Sequence, residues 1–296
     1  MKFVDKLAGA ERANRSLLCV GLDPDPARFP GAMRGDAARI FDFCAAIVDA
    51  TSDLVIAFKP QIAYFAAHRA EAQLEQLIDH IRRTAPKIPV ILDAKRGDMG
   101  STAEQYAREV FDRYGADAVT LSPFLGLDSL EPYLRYADKG VIVLCRTSNP
   151  GGADLQEQRL GSGERLFEHI ARLAAGPWNT SGQIGLVVGA TFPAEIARVR
   201  EIAPRLPLLI PGIGAQGGDA AATVQAGWRG SAEASTGPII VSSSRAVLYP
   251  ALADNGVGID FAAASRRAAE SARDGLEAAR SSVIARSEPG AARPLS

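Results

Sequence analysis

The chain has 296 residues, 47% of them hydrophobic, with a formal net charge of −1. It is long enough for a sizeable core, and its scattered charges offer no stripe for nucleic acid or an anionic membrane surface. Any anion it binds must therefore be held locally.

Cys19, Cys44 and Cys145 lie far apart among apolar neighbours without a CxxC pair, a pattern of buried free thiols in a reducing compartment. The first ten residues carry Asp5 and lack an apolar core, which argues against a signal peptide. No stretch approaches the roughly 18 apolar residues of a membrane helix. The expectation is a soluble, cytoplasmic protein.

In chain order, a first apolar run at 17–22 is followed by Ile40, Cys44, Ile47 and Val48, spaced to form one stripe of a helix. A second run at 54–58 precedes a helix carrying Leu74, Leu77, Ile78 and Ile81. A third, at 90–92, ends in Asp93-Ala-Lys95-Arg-Gly-Asp98. Ser101-Thr-Ala-Glu104 then has the pattern of a capping box and predicts a helix through Tyr106, Val110, Phe111 and Tyr114, stopped by Gly115. Further runs lie at 118–121, 141–145, 184–188, 206–210 and 239–241, and a last helix is predicted at 261–285.

These eight runs barely alternate polar with apolar, as expected of parallel strands buried on both faces. Strand and helix alternate with no linker between them, which predicts a single-domain (β/α)8 barrel over residues 1–286, with a disordered Gly/Pro/Ser-containing tail expected at 287–296. An open doubly wound sheet is the alternative architecture.

Barrel enzymes carry their chemistry at the C-terminal ends of the strands. Unusual polar residues fall there: Asp23 after the first run, Lys59 after the second, Asp93, Lys95 and Asp98 after the third, and Thr147-Ser148-Asn149 after the fifth. The seventh is followed by Pro211-Gly-Ile-Gly-Ala-Gln216-Gly-Gly and the eighth by Ser242-Ser-Ser-Arg245. A glycine-rich turn with a nearby arginine at these last two positions predicts a phosphate grip. Lys59 and Asp93 each follow several apolar residues directly, so desolvation argues that they face each other at the mouth. A magnesium site is the competing reading of the carboxylates, but two lysines among them disfavour it. His68, His80 and His169, placed in helical stretches, show no metal-ligand spacing.

Together, Phe58-Lys59-Pro60, Asp93-Ala-Lys95-Arg-Gly-Asp98, Thr147-Ser148-Asn149-Pro150 and the Gln216 loop resemble the orotidine 5′-phosphate decarboxylase family. The likeness is to its longer bacterial branch (type 2) and runs from about Ser16 to Tyr249. The DxKxxD core alone is shared with related sugar-phosphate decarboxylases. The resemblance implies conversion of orotidine 5′-monophosphate to uridine 5′-monophosphate without a cofactor or metal. It further implies that Lys95 protonates C6, that Asp93 lies against the departing carboxylate, and that Lys59 and Asp23 bind ribose hydroxyls. Asp98 and Thr102 would reach the ligand of a neighbouring subunit in a homodimer, Ser148 would address the pyrimidine amide edge, and Gln216 with Arg245 would hold the phosphate. Met99 stands where the family often has isoleucine, and the segments 151–181 and 220–238 are longer than in the compact branch. A magnesium-dependent decarboxylase or epimerase of sugar phosphates, and a catalytically dead nucleotide-binding barrel, remain the competing functions.

Overall fold

The computed structural model describes residues 1–213, 218–231, 234–250 and 260–287. Their elements run α1 (Phe3–Asn14), β1 (Leu18–Leu22), α2 (Ile40–Thr51), β2 (Ala57–Pro60), α3 (Ile62–Ala66), α4 (Glu71–Thr84), β3 (Ile91–Arg96), α5 (Gly100–Arg108), β4 (Ala118–Leu121), α6 (Glu131–Leu134) and β5 (Gly140–Arg146). There follow α7 (Ala153–Gln156), α8 (Leu166–Ala175), β6 (Ile184–Val188), α9 (Pro193–Ile202), β7 (Leu208–Pro211), α10 (Ala220–Gly227), a small hairpin of β8 (Arg229–Gly230) and β9 (Ser235–Gly237), β10 (Ile239–Ser243), α11 (Arg245–Leu248) and α12 (Phe261–Ser287).

Eight of these strands form one parallel sheet in the order β2-β1-β10-β7-β6-β5-β4-β3. Parallel bridges Phe58↔Val90 and Gln61↔Asp93 join its two ends and close the barrel. β1, β2, β4, β6 and β10 are buried along their whole length, because Val, Ile and Leu meet side chains of the barrel interior on one face and helices on the other. The predicted stripes are the ones that face the barrel: Leu74, Leu77, Ile78 and Ile81 of α4 are buried, as are Ile40, Cys44, Ile47 and Val48 of α2. Each Leu or Ile so buried contributes about 1.5–3 kcal/mol relative to exposure. α1 covers the N-terminal end of the strands: Phe3 lies against Gly140 at the start of β5, and Lys6 pairs with Asp117 just before β4 at 2.8 Å.

Three local expectations are corrected. β3 does not stop at Leu92 but continues to Arg96, and β2 reaches Pro60, so Lys59, Asp93 and Lys95 are strand residues. α5 begins at Gly100 with Met99 at its cap position and no side-chain cap, so Ser101 does not close a capping box. Glu104 instead accepts from Arg135 at 2.8 Å, while Asp98 Oδ1 takes the Met99 N–H at 2.8 Å just ahead of the helix. His68 lies in the turn after α3; only His80 and His169 are helical, bonded to Asp49 and Glu164. The segment does end at Gly115, whose φ of +67° favours glycine. α12 runs to Ser287, two residues past the predicted end, and 288–296 lie outside the described residues.

Candidate active site

The C-terminal ends of the strands surround a cavity of about 560 Å³, whose wall includes Asp23, Lys59, Asp93, Lys95, Ser148 and Arg245. β1 and β2 bring the first two together by pairing Gly21 with Lys59. Gly21 also faces the end of β10. A Cβ there would lie 1.9 Å from Ser244 Oγ and 3.0 Å from its Cβ, so a larger residue would make the Ser244 side chain, one residue before Arg245, give way. On the opposite side, a Cβ on Gly189 would come within 2.7 Å of Ser148 Cα, so glycine there lets Ser148 stand at the wall.

The charges form a chain of three. Lys59 Nζ donates to Asp93 Oδ2 at 2.9 Å, and Lys95 Nζ donates to Asp93 Oδ1 at 2.6 Å. Lys59 and Asp93 are buried, whereas Lys95 reaches the open cavity. Burial by itself would push the Lys59 ammonium down, but the carboxylates of Asp93 and Asp23 outweigh it and hold Lys59 above its ordinary value. Burial likewise pushes Asp93 up, and the ammoniums of Lys59 and Lys95 outweigh it, holding this carboxyl well below the usual carboxylate range. Asp23 Oδ1 is buried without a hydrogen-bond partner, leaving an acceptor available at the wall.

Lys95 has φ +45°, a left-handed conformation uncommon outside glycine and asparagine. The cause lies in the β3–β4 register. Leu92 pairs with Val119 and Arg96 with Leu121, so three residues of β3 (Asp93, Ala94, Lys95) face the single residue Thr120 of β4. Ala94 N–H and Lys95 N–H both donate to Thr120 Oγ1 at 3.0 Å, and that hydroxyl donates to Asp93 Oδ1 at 2.9 Å. Sequence reading passes over Thr120, because a lone threonine in Ala118-Val-Thr-Leu121 is an ordinary strand residue. Its one signal is its place on the strand next to the charged motif.

A second feature absent from the sequence reading anchors the long segment after β5. The buried Arg146 guanidinium pairs with Glu157 and with Glu195, the latter at 2.9 Å, donates to Thr147 O at 2.9 Å, and lies over the Phe192 ring. Thr147 N–H donates to Gln156 at 2.8 Å. These bonds fold the segment back beside Ser148.

Asp98 and Thr102 are not in the cavity wall. Thr102 is exposed, and among the described residues no ion pair carries the alternation of charge from Lys95 on to Asp98. Gln216 lies outside the described residues. Cys19 is buried behind the site, with burial pushing its thiol up to about 12. Cys44 and Cys145 are also buried and free. Among the described residues, no group of three or more His, Cys, Asp or Glu side chains could hold a metal ion, and no helix is long and apolar enough to cross a membrane.

The chain matches the Orotidine 5′-phosphate decarboxylase / HUMPS family over residues 16–249. It is 69% identical over 283 residues to an orotidine 5′-phosphate decarboxylase of Variovorax paradoxus, covering 95% of this chain and 100% of that one. A second, from Leptothrix cholodnii, is 72% identical over 283 residues, covering 94% and 98%. Among solved structures, an orotidine monophosphate (OMP) decarboxylase of Leishmania donovani superposes with a TM-score of 0.79 at 40% identity, covering 95% of this chain and 99% of that one. The uridine monophosphate (UMP) synthase of the same organism gives 0.78 at 41% identity, covering 94% and 57%.

Proposed function

The chain belongs to the orotidine 5′-phosphate decarboxylase family, and from that premise we propose that its barrel mouth converts orotidine 5′-monophosphate to uridine 5′-monophosphate with Lys95 as the proton donor. It is a carboxy-lyase of pyrimidine biosynthesis. The observation that carries the residue assignments is the Lys59–Asp93–Lys95 chain at the cavity wall, in which one carboxylate holds two ammoniums at 2.9 and 2.6 Å and Lys95 is the more exposed of the two.

In the reaction the bond from C6 to the carboxylate carbon breaks, neutral carbon dioxide leaves, and the electron pair stays on C6. The ring offers this pair no adjacent carbonyl for delocalisation, so stabilisation must come from charge placed beside it. An ammonium about 4 Å away contributes roughly 4 kcal/mol at an effective dielectric near 20. Lys95 then transfers a proton to C6 and is reprotonated from solvent, which its exposure permits. Asp93 repels the substrate carboxylate, a strain that disappears as carbon dioxide departs. This is secondary to its holding Lys95 in place.

Asp23, with its free buried oxygen, and Lys59 bind the ribose hydroxyls, Ser148 takes the amide edge of the pyrimidine, and Arg245 with Gln216 holds the phosphate. Phosphate binding far from C6 supplies the energy that offsets the repulsion at Asp93. No cofactor or metal enters these steps.

Asp98 and Thr102 serve the site of a second subunit in a homodimer. Supporting this, they stand off the cavity of their own chain, and large apolar side chains lie exposed on the same rim. Met99 follows Asp98 and is 56% exposed; Phe124 is 78% exposed, on the loop whose Ser122 N–H donates to Arg96 O. The three buried free thiols fit a cytoplasmic location.

The test is the loss of orotidylate absorbance by purified protein with and without excess chelator. Equal rates support the metal-free reading, while loss of activity on chelation points to the sugar-phosphate type of metal chemistry.

A further inference from the structure

We propose that Thr120 is a positioning residue for the decarboxylation, its hydroxyl fixing the Lys95 ammonium by holding the backbone bulge that carries it. The proposal rests on the reading of Lys95 as proton donor.

Where β3 carries two more residues than β4 between paired positions, the β4 side of the ladder cannot serve Asp93, Ala94 and Lys95. A backbone N–H withdrawn from water without a partner is costly, and two partly buried ones arise here. Both go to one oxygen, Thr120 Oγ1, at 3.0 Å each, and the hydroxyl proton goes to Asp93 Oδ1 at 2.9 Å. The one donor and both acceptor positions of the hydroxyl are therefore used.

Each bond bears on Lys95. A non-glycine residue at φ +45° keeps that conformation only where its surroundings over-determine it, and the paired amides on Oγ1 supply that constraint. Asp93 Oδ1 accepts from Thr120 and from Lys95 Nζ, so the same hydroxyl also aims the carboxylate that holds the ammonium. Backbone and side chain of Lys95 are thus referred to a single atom. Thr120 is buried and absent from the cavity wall, so it acts on the reaction only through Lys95 and Asp93.

If Thr120 only filled space, valine would serve equally, since it keeps the shape and lacks only the hydroxyl. Thr120→Val and Thr120→Ser, assayed with orotidine 5′-monophosphate and titrated with uridine 5′-monophosphate, separate the two roles. A displacement of the proton donor by about 1 Å costs on the order of 100-fold in rate. Thr120→Val is accordingly expected to lose about 30- to 100-fold in kcat, with KM and nucleotide affinity within about threefold of wild type, and Thr120→Ser to keep kcat within about threefold.

A Thr120→Val kcat within about threefold of wild type would overturn the proposal, as would a fall in nucleotide affinity proportional to that in kcat. Should Thr120→Val fail to fold, Thr120→Ser decides alone: a loss beyond about tenfold, with the hydroxyl retained, overturns it. Retention of a tenth or more of wild-type activity by Lys95→Ala would instead remove the premise, an outcome separate from anything the Thr120 variants give.

Discussion

The Lys59 ammonium donates to Asp93 Oδ2 at 2.9 Å where the two side chains retain only 6% and 9% of their exposure. Removing one partner strands the other charge in a dry place, and such losses run to about 3–5 kcal/mol. Asp93→Ala, which leaves Lys59 without its hydrogen-bonded carboxylate, is expected to lower stability to urea by about that amount. Lys59→Ala should cost less, because Asp93 keeps Lys95.

The same pair fixes a pH dependence. Asp93 titrates below its ordinary 3.8 in the folded chain, so its contribution is complete above that value and is lost as pH falls toward the folded pKa. Lys59 titrates above its ordinary 10.5, so its contribution is complete below that value and is lost only as pH rises through the folded one. The stability difference between wild type and Asp93→Asn should be level from about pH 5 to 9 and shrink below about pH 4. Urea midpoints across that range check it.

The barrel and the charged mouth were legible because both rest on strong local signals. Apolar runs such as 184–188 have few alternatives to a buried strand, and a charge directly after one, as at Lys59, has to be paired. Strand ends were less legible. An apolar run stops at its first charge, whereas pairing in β3 continues to Arg96 because its charges neutralise one another. Ser101 matched a cap pattern, but the helix had already begun at Gly100. Thr120 acts through a register irregularity between two strands, and that relationship is not local in sequence. Arg146 likewise owes its role to Glu157, Phe192 and Glu195, brought to it from two separate segments.

If Asp98 completes the site of a second subunit, two inactive variants should rescue each other. Lys95→Ala mixed with Asp98→Ala gives hybrid dimers in which one of the two sites has both native residues. With random exchange of equal amounts, about a quarter of wild-type activity should return. Activity no greater than the sum of the parents would contradict a shared site.

Arg200 is a buried guanidinium that donates to six backbone carbonyls, those of Ala203, Pro204, Leu206, Gly227, Gly237 and Pro238, at 2.7–3.2 Å. It ties α9 to the end of α10 and to the entry of β10, far from the mouth. Arg200→Met leaves these acceptors unserved and is expected to cost about 3–5 kcal/mol in denaturant unfolding. Its kcat per folded molecule should remain near wild type.

The most direct test of the account is Lys95→Ala, measured for both nucleotide binding and turnover. The variant should bind uridine 5′-monophosphate within about tenfold of wild type, since the proposed binding residues Asp23, Ser148 and Arg245 remain, while decarboxylation falls by at least about a thousandfold. Retention of a tenth of wild-type activity would contradict Lys95 as the proton donor.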